Sequence, residues 1–434
     1  MLRCNHAPGA VVCPAPSFVG GVCIVLIVLN AFPALIRAQE SIGFADPGDI
    51  QPLLDYRLPD WGYRNWELAG SLGAAGDDDN PLDQHQDLSP QLSYMRYHES
   101  EGSIWRITGD LTGRINRNES PSDEVSRSLD GRITLSGRTD RYFRSSWFYS
   151  LNAGIGASYA ESRRDELTRV VRDYDHNLGV GLGYGRLRDV DPLLRAKRIS
   201  ERLRALGRDP LPDRDVERLA EVIAQEGGYS VVFDRPARHF WGAVFEILEA
   251  GQPFTAYEVL YLTEVMREHI GLRYEGRRLA FLTSWYRESS YDNRARENAS
   301  LEYSWYHNHD LDHQLGLVLR GFWSWVQYPP GDERHGSVTC SLDHLWVVAD
   351  RILWSNSISS DLMYDEYESG SSPRHRWHVI LASLFSFYVE DRWSINPELA
   401  TYANWSESAD HDWLESWAWR FRVTVNYRFG AGIL

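Results

Sequence analysis

Cysteine is scarce in this 434-residue chain, and three of its four cysteines, Cys4, Cys13 and Cys23, sit near the start. If those leave with a cleaved leader, only Cys340 remains, which excludes an intramolecular disulfide. Long apolar runs are equally scarce. One stretch, 18–35, approaches membrane length, and nothing after it is long enough to cross as a helix. Positive charge is short as well: 45 Lys and Arg against 61 Asp and Glu give a net charge of −16, which argues against nucleic acid as a partner. Nucleophile elbow, phosphate-binding glycine loop and HExxH motif are all missing. Neither an enzymatic activity nor a cofactor or bound metal is therefore expected.

The first 38 residues read as a signal peptide. Arg3 precedes the apolar run, and Arg37-Ala38 leads into the polar segment that starts at Gln39. Such a leader sends the remainder out of the cytoplasm. A chain without membrane helices that nevertheless spans a bilayer must do so with strands closed into a barrel, because lipid offers the backbone no hydrogen bonds.

What the mature region has in abundance is period-two alternation. From Trp417 to Phe429 one face carries Trp417, Trp419, Phe421, Val423, Val425, Tyr427 and Phe429, and the other carries Arg420, Arg422, Thr424, Asn426 and Arg428. Trp105, Ile107, Leu111 and Ile115 oppose Arg106, Thr108, Asp110, Thr112 and Arg114 in the same manner, as do Ile133 and Leu135 against Arg132 and Arg138. Six strands are predicted near 62–73, 88–98, 103–116, 128–139, 141–160 and 173–187. Eight more are predicted near 272–289, 297–308, 312–328, 335–348, 351–364, 375–390, 392–405 and 416–430. Tight links at Glu99–Gly102, Thr139–Arg141, His309–Leu311, Asp350–Arg351 and Asp391–Arg392 alternate with longer polar ones near 117–127, 161–172, 290–296, 365–374 and 406–415. Short turns on one side and long loops on the other are the habit of outer-membrane barrels. The expectation is an all-β transmembrane barrel of 14 antiparallel strands, with 12 as the alternative, built from 39–187 and 272–434.

Between the two series, 188–271, the period becomes helical. Asp191-Pro192 opens one helix and Pro212-Asp213 a second, and two more are predicted near 236–250 and 254–269. Turn parity places this α-helical subdomain in the periplasm, where it offers a surface for a protein partner.

Three groups of residues invite a functional reading. Arg106, Arg114, Arg132, Arg138, Arg320, Arg420, Arg422 and Arg428 are predicted to face the lumen, either lining an anion-favouring pore or pairing with acids to close it. Gly179, Gly181, Gly183 and Gly185 form a stripe on one strand face, suited to a sharp barrel bend or to a segment pressed on the backbone. His307, His309, Asp310, Asp312 and His313 gather at one turn, but their spacing matches no metal site and reads as a solvated turn.

The alternating strands, the leader and the strand end Gly183-Tyr184-Gly185-Arg186 running into a helical insert together resemble porin-like outer-membrane barrels of Gram-negative bacteria. That resemblance implies residence in the cell outer membrane among its lipid and lipopolysaccharide, and passage of a polar solute, an anionic one included, or of a polysaccharide. The competing expectation is a non-conducting envelope scaffold, or a barrel with a lumenal enzyme site, that binds a periplasmic partner through its insert.

Overall fold

A computed structural model of the chain describes residues 50–434 apart from 59, 78–79, 120–124, 144–145, 165–166, 227–228, 230–231, 249–252, 289–294, 328–332, 368–373, 390–392, 409–410 and 429–434. The predicted signal peptide lies outside the described residues.

Fourteen strands run in chain order as β1 (Trp61–Asp77), β2 (Asn80–Glu99), β3 (Ser103–Glu119), β4 (Val125–Tyr142), β5 (Trp147–Arg164), β6 (Leu167–Asp189), β7 (Tyr274–Glu288), β8 (Ala295–Asn308), β9 (His313–Gln327), β10 (Glu333–Ala349), β11 (Ile352–Tyr367), β12 (Arg374–Tyr388), β13 (Trp393–Ser408) and β14 (His411–Arg428). Each pairs antiparallel with its chain neighbours, and β1 pairs with β14 to close the barrel. Alternation sets the two faces. Ile133 and Leu135 on β4, Ile155 on β5, and Leu178, Val180 and Leu182 on β6 are exposed on the same outer face, with Leu135 paired to Ile155 and Val180 and Leu182 paired to the exposed Leu151 and Tyr149. An apolar band of this kind is stable only against hydrocarbon.

Several strands outrun their predicted ends. β3 continues to Glu119 and β6 starts at Leu167, inside segments expected to be loops. The β3 extension is polar on both faces, and that of β6 mixes Val170 and Val171 with Arg169 and Arg172, so the hydrophobic period is lost while backbone pairing goes on. The turn expected at Thr139–Arg141 is displaced: these residues stay in β4, which ends at Tyr142. Asp140 is held there by inward ion pairs, and Phe143 N–H donates to the Trp147 carbonyl to start the real turn.

Among the described residues, five helices lie at the end of the barrel where β1 begins. They are α1 (Gln51–Asp55), α2 (Asp191–Ala205), α3 (Asp213–Ala224), α4 (Pro236–Leu248) and α5 (Ala256–Met266). α2 carries proline in its first turn, and α5 starts with a capping box in which Thr255 and Glu258 satisfy each other's backbone N–H groups. The buried faces of α2 and α3 (Leu193, Leu194, Ile199, Leu203; Val216, Leu219, Ile223) join those of α4 and α5 in one core. That core also takes in Leu311 after β8, Val347 and Leu353 at the ends of β10 and β11, and Tyr388 at the end of β12. Elsewhere on the rim Ala224 of α3 packs against Trp61 and Tyr97 on β1 and β2. The insert thus spans the mouth from β1–β2 to β10–β12.

Candidate functional site

The interior divides into a pinched corner and an open wall. In the corner, side chains from strands far apart along the sheet touch. Arg138 on β4 reaches Glu302 on β8 at 3.2 Å, Arg278 on β7 reaches Asp140 on β4 at 2.9 Å, and Arg106 on β3 donates to the Tyr274 hydroxyl on β7 at 2.8 Å. Strands four apart are separated by about 19 Å measured along the wall. An arginine and a glutamate cannot bridge that distance across a gently curved sheet, so the wall turns sharply between them.

The glycine stripe makes the turn. Gly179, Gly181, Gly183 and Gly185 face inward on β6, where a Cβ on Gly183 would strike the Phe148 ring and the Leu279 carbonyl oxygen. Phe148 is fully buried, and the Arg278 guanidinium lies over its ring, 4.7 Å from the centroid. Gly185 on β6 and Gly276 on β7, which pair with Arg278 and Leu187 in the same ladder, both adopt positive φ (+91° and +110°), which only glycine tolerates readily. The segments pressed on the stripe are side chains of the adjoining strands, Asn152, Phe148 and Leu282, and not the helical insert.

Pairing varies among the other predicted arginines. Arg132 meets Asp175 at 3.4 Å. Arg320 joins Glu302 at 3.3 Å, while Arg420 and Arg422 share Glu398. Arg114 is exposed, and the Arg428 side chain lies outside the described residues. Exposure separates two situations. The Asp140 and Arg278 side chains are each 9% exposed, whereas Arg320, Arg420 and Arg422, also facing inward, are 54%, 49% and 44% exposed. Water therefore reaches the β9–β14 side of the lumen and is squeezed from the corner. Ser337, Thr339 and Ser341 on β10 and Ser355, Ser357 and Ser359 on β11 face the same open space, giving that wall short hydroxyl side chains.

Polar contacts fasten the insert over the mouth, and sequence reasoning missed all of them. Arg198 of α2 is buried. It donates to the Leu311 carbonyl at 2.7 Å and pairs with Glu268 at 3.1 Å and with Asp312. Arg202 reaches Asp350 at 2.9 Å. Arg273, fully buried where the insert returns to β7, donates to the carbonyls of Ile270 (3.0 Å) and Leu311 (2.7 Å) and to Asn308 (3.3 Å). Burial, seconded by the positive charge of Arg198, brings its pKa down to about 10. Burial raises that of Glu268, and the Asp350 carboxylate adds to the effect. Tyr56 donates to Glu221, which lifts the phenol to about 12. His269 stacks on Tyr388 with ring centroids 3.7 Å apart. A cavity of about 250 Å³ lies along this join, bordered by Arg198, Arg202, Asp312 and Asp350. In sequence these are ordinary charges on a solvated helix and on turns, and only the fold brings them together.

The histidine-rich turn serves the same join. The Asp310 carboxylate accepts from the N–H groups of Asp312 and His313, both at 2.7 Å, closing the turn, and Asp312 then takes Arg198. His307 bonds Glu275, and His313 stacks on His344. Among the described residues no group of three or more His, Cys, Asp or Glu is placed to hold a metal ion.

No protein-family model matches the chain, and no curated protein matches it. Solved structures of similar outline include the β domain of the Bordetella autotransporter BrkA, 8% identical with a TM-score of 0.30, covering 84% of this chain and 98% of that one. CdiB from Escherichia coli is 6% identical with a TM-score of 0.40, covering 86% of this chain and 63% of its own. A bacterial polysaccharide outer membrane secretin is 11% identical with a TM-score of 0.30, covering 85% and 99%. Likenesses this distant carry no conclusion about this chain. The closed fourteen-strand order and the outward apolar band are what make the chain a transmembrane β-barrel.

Proposed function

We propose that the protein is an outer-membrane conduit for a polar solute, with its helical insert as the plug of the periplasmic mouth. The observation that carries this reading is the half-exposed state of inward-facing Arg320, Arg420 and Arg422, which marks a wetted lane along β9–β14. The lane is rich in hydroxyl groups, and Arg420 and Arg422 share a single carboxylate. A hydroxylated solute carrying negative charge suits both features. The corner network holds the barrel in shape and carries no traffic. The closed barrel with its outward apolar band supports residence in the outer membrane, where strand barrels of this kind occur.

Single-channel recording in a planar bilayer under a salt gradient tests the proposal. The whole chain is expected to conduct weakly. Replacing residues 191–271 by a short glycine-serine linker, or loosening the plug with Arg198→Ala and Arg202→Ala, is expected to raise conductance several-fold. Arg420→Gln with Arg422→Gln is expected to abolish anion preference. The capped mouth favours one other reading, a non-conducting scaffold that presents the insert to a periplasmic partner. A folded barrel that stays silent in all these forms decides for the scaffold.

A further inference from the structure

Along the outer face of the β1–β2 ladder the paired residues change character rung by rung. Gly62–His98 comes first, at the end that carries the insert, followed by Arg64–Arg96, Trp66–Tyr94 and Leu68–Leu92. Polar, cationic, aromatic and aliphatic is the order a barrel wall shows on passing from water through the headgroups into hydrocarbon. The Trp66 and Tyr94 rings stand 4.5 Å apart and mark the aromatic belt, so the Arg64–Arg96 rung lies at headgroup level. The inner side of these rungs is packed: Tyr63 stacks on Tyr97 at 5.3 Å, and Trp61 is buried against Ala224. The two arginines therefore stand on a firm support.

Like charges directly opposite each other on neighbouring strands, with Cβ atoms about 5 Å apart, repel. Among the described residues neither guanidinium has a carboxylate partner. Alternation leaves none within reach: over 61–70, 88–99, 103–115 and 129–142 the carboxylates are Glu67, Glu99, Asp110, Asp130 and Asp140, and all face the lumen. Trp105 on β3 completes the place. The Arg96 guanidinium lies over its ring, 5.1 Å from the centroid, and His98 stacks on it at 5.4 Å. Arg141, exposed on the same face of β4, follows two residues after Thr139, the partner of Trp105. The wall here turns a group of cations without counter-charge toward the membrane surface.

We infer that this rung binds the phosphodiester of an anionic glycerophospholipid. The phosphate oxygens accept from both guanidinium groups, whose planar forks match them, and their charge relieves the repulsion across the rung. Charge complementarity selects the lipid. Phosphatidylcholine brings a quaternary ammonium to a place already oversupplied with positive charge, whereas phosphatidylglycerol brings neutral hydroxyls. The acyl chain continues along Gly109 and Gly137, which leave a furrow beside Tyr94, Ile107 and Leu135. The site asks only for the membrane-spanning barrel and holds whether or not the lumen conducts.

Photolabelling of the whole chain in phosphatidylcholine liposomes tests the site. The probes are phosphatidylglycerol and phosphatidylcholine, each a minor component bearing a diazirine on the same acyl carbon near the glycerol. The expected result is labelling of 94–109 and 135–139 at least about fivefold stronger with the anionic probe. Arg64→Gln with Arg96→Gln should abolish that preference, and Arg64→Lys with Arg96→Lys should keep part of it, because the charge survives without the fork. High salt should weaken the preference in the unaltered protein, an arm that stands even if the glutamine pair misfolds. Equal labelling by the two probes overturns the site, as does a preference that survives the glutamine pair or is indifferent to salt. Soluble glycerol phosphate that erases the preference would give the rung to a free phosphate ester instead of a lipid. Crosslinks joining two chains through 94–109 would give the face to a second copy, and either result overturns the lipid site.

Discussion

Asp140 on β4 and Arg278 on β7 meet inside the barrel at 2.9 Å, although β5 and β6 lie between them along the wall. Each is nearly buried, and both also engage a member of the Arg138–Glu302 pair. Removing one partner strands the others' charge in a poorly solvated corner. Asp140→Ala is expected to destabilise the barrel by about 3 kcal/mol. Asp140→Leu combined with Arg278→Leu should recover part of that loss, because no uncompensated charge is left by this pair. Urea-dependent unfolding of the barrel in detergent, followed by gel mobility, measures both, and equal losses for single and double variants would contradict the argument.

A second prediction concerns the plug. Arg273 supplies donors to three acceptors that have no access to water at the point where the insert returns to the barrel. Arg273→Met keeps the stem and removes every donor, at a cost of about 2 kcal/mol. The expected result is a tenfold or greater rise in the rate at which protease cuts within 191–271, with the barrel itself still resistant. An unchanged cleavage rate would show that the apolar core of the insert fixes it without this arginine.

How much of this was readable beforehand follows from the range of each interaction. The predicted strand at 416–430 became His411–Arg428, because period is a local property; α2 starts at Asp191 with proline in its first turn, but Val190 and not Asp191 is its N-cap, and no side chain caps it. Lumen-facing Arg138 and Arg420 were legible too, since parity alone decides a face. Their partners were not. Glu302 lies 164 residues beyond Arg138, and nothing near either residue announces the other. The glycine stripe announced a bend but not its consequence, the contact of β4 with β7 and β8. The insert read as a periplasmic helical subdomain that docks a partner or gates the lumen. Its packing on the barrel end depends on Leu311, Val347, Leu353 and Tyr388, which look in sequence like ordinary strand ends.

Acid should loosen α5 selectively. Hydrogen bonds from Arg208 and then from the Thr255 backbone and hydroxyl pull the Glu258 carboxyl from an ordinary 4.5 to about 2. A carboxylate with a depressed folded-state pKa contributes stability above its unfolded value and loses it as pH falls through the folded one. Protection of the α5 amides against hydrogen exchange is therefore expected to hold above about pH 4.5 and to decline toward pH 2. Glu258→Gln should lower protection at neutral pH and flatten that decline. If the variant keeps the wild-type pH profile, another group is responsible.

Two glycines give opposite expectations from the same substitution. Gly183 faces the Phe148 ring and the Leu279 carbonyl at the bend, so a methyl group there must displace an aromatic side chain or a strand. Gly183→Ala is expected to cost about 1–3 kcal/mol and to weaken the contacts across the corner. Gly242 sits inside α4 with nothing near the position a Cβ would take. Gly242→Ala should instead stabilise that helix by about 0.5–1 kcal/mol, because alanine gives up less backbone freedom on folding. Unfolding of the barrel reports the first and thermal melting of the helical signal the second. If Gly183→Ala were as harmless as Gly242→Ala, the β5–β7 bend would not depend on bare backbone, and the cross-wall pairs would need another cause.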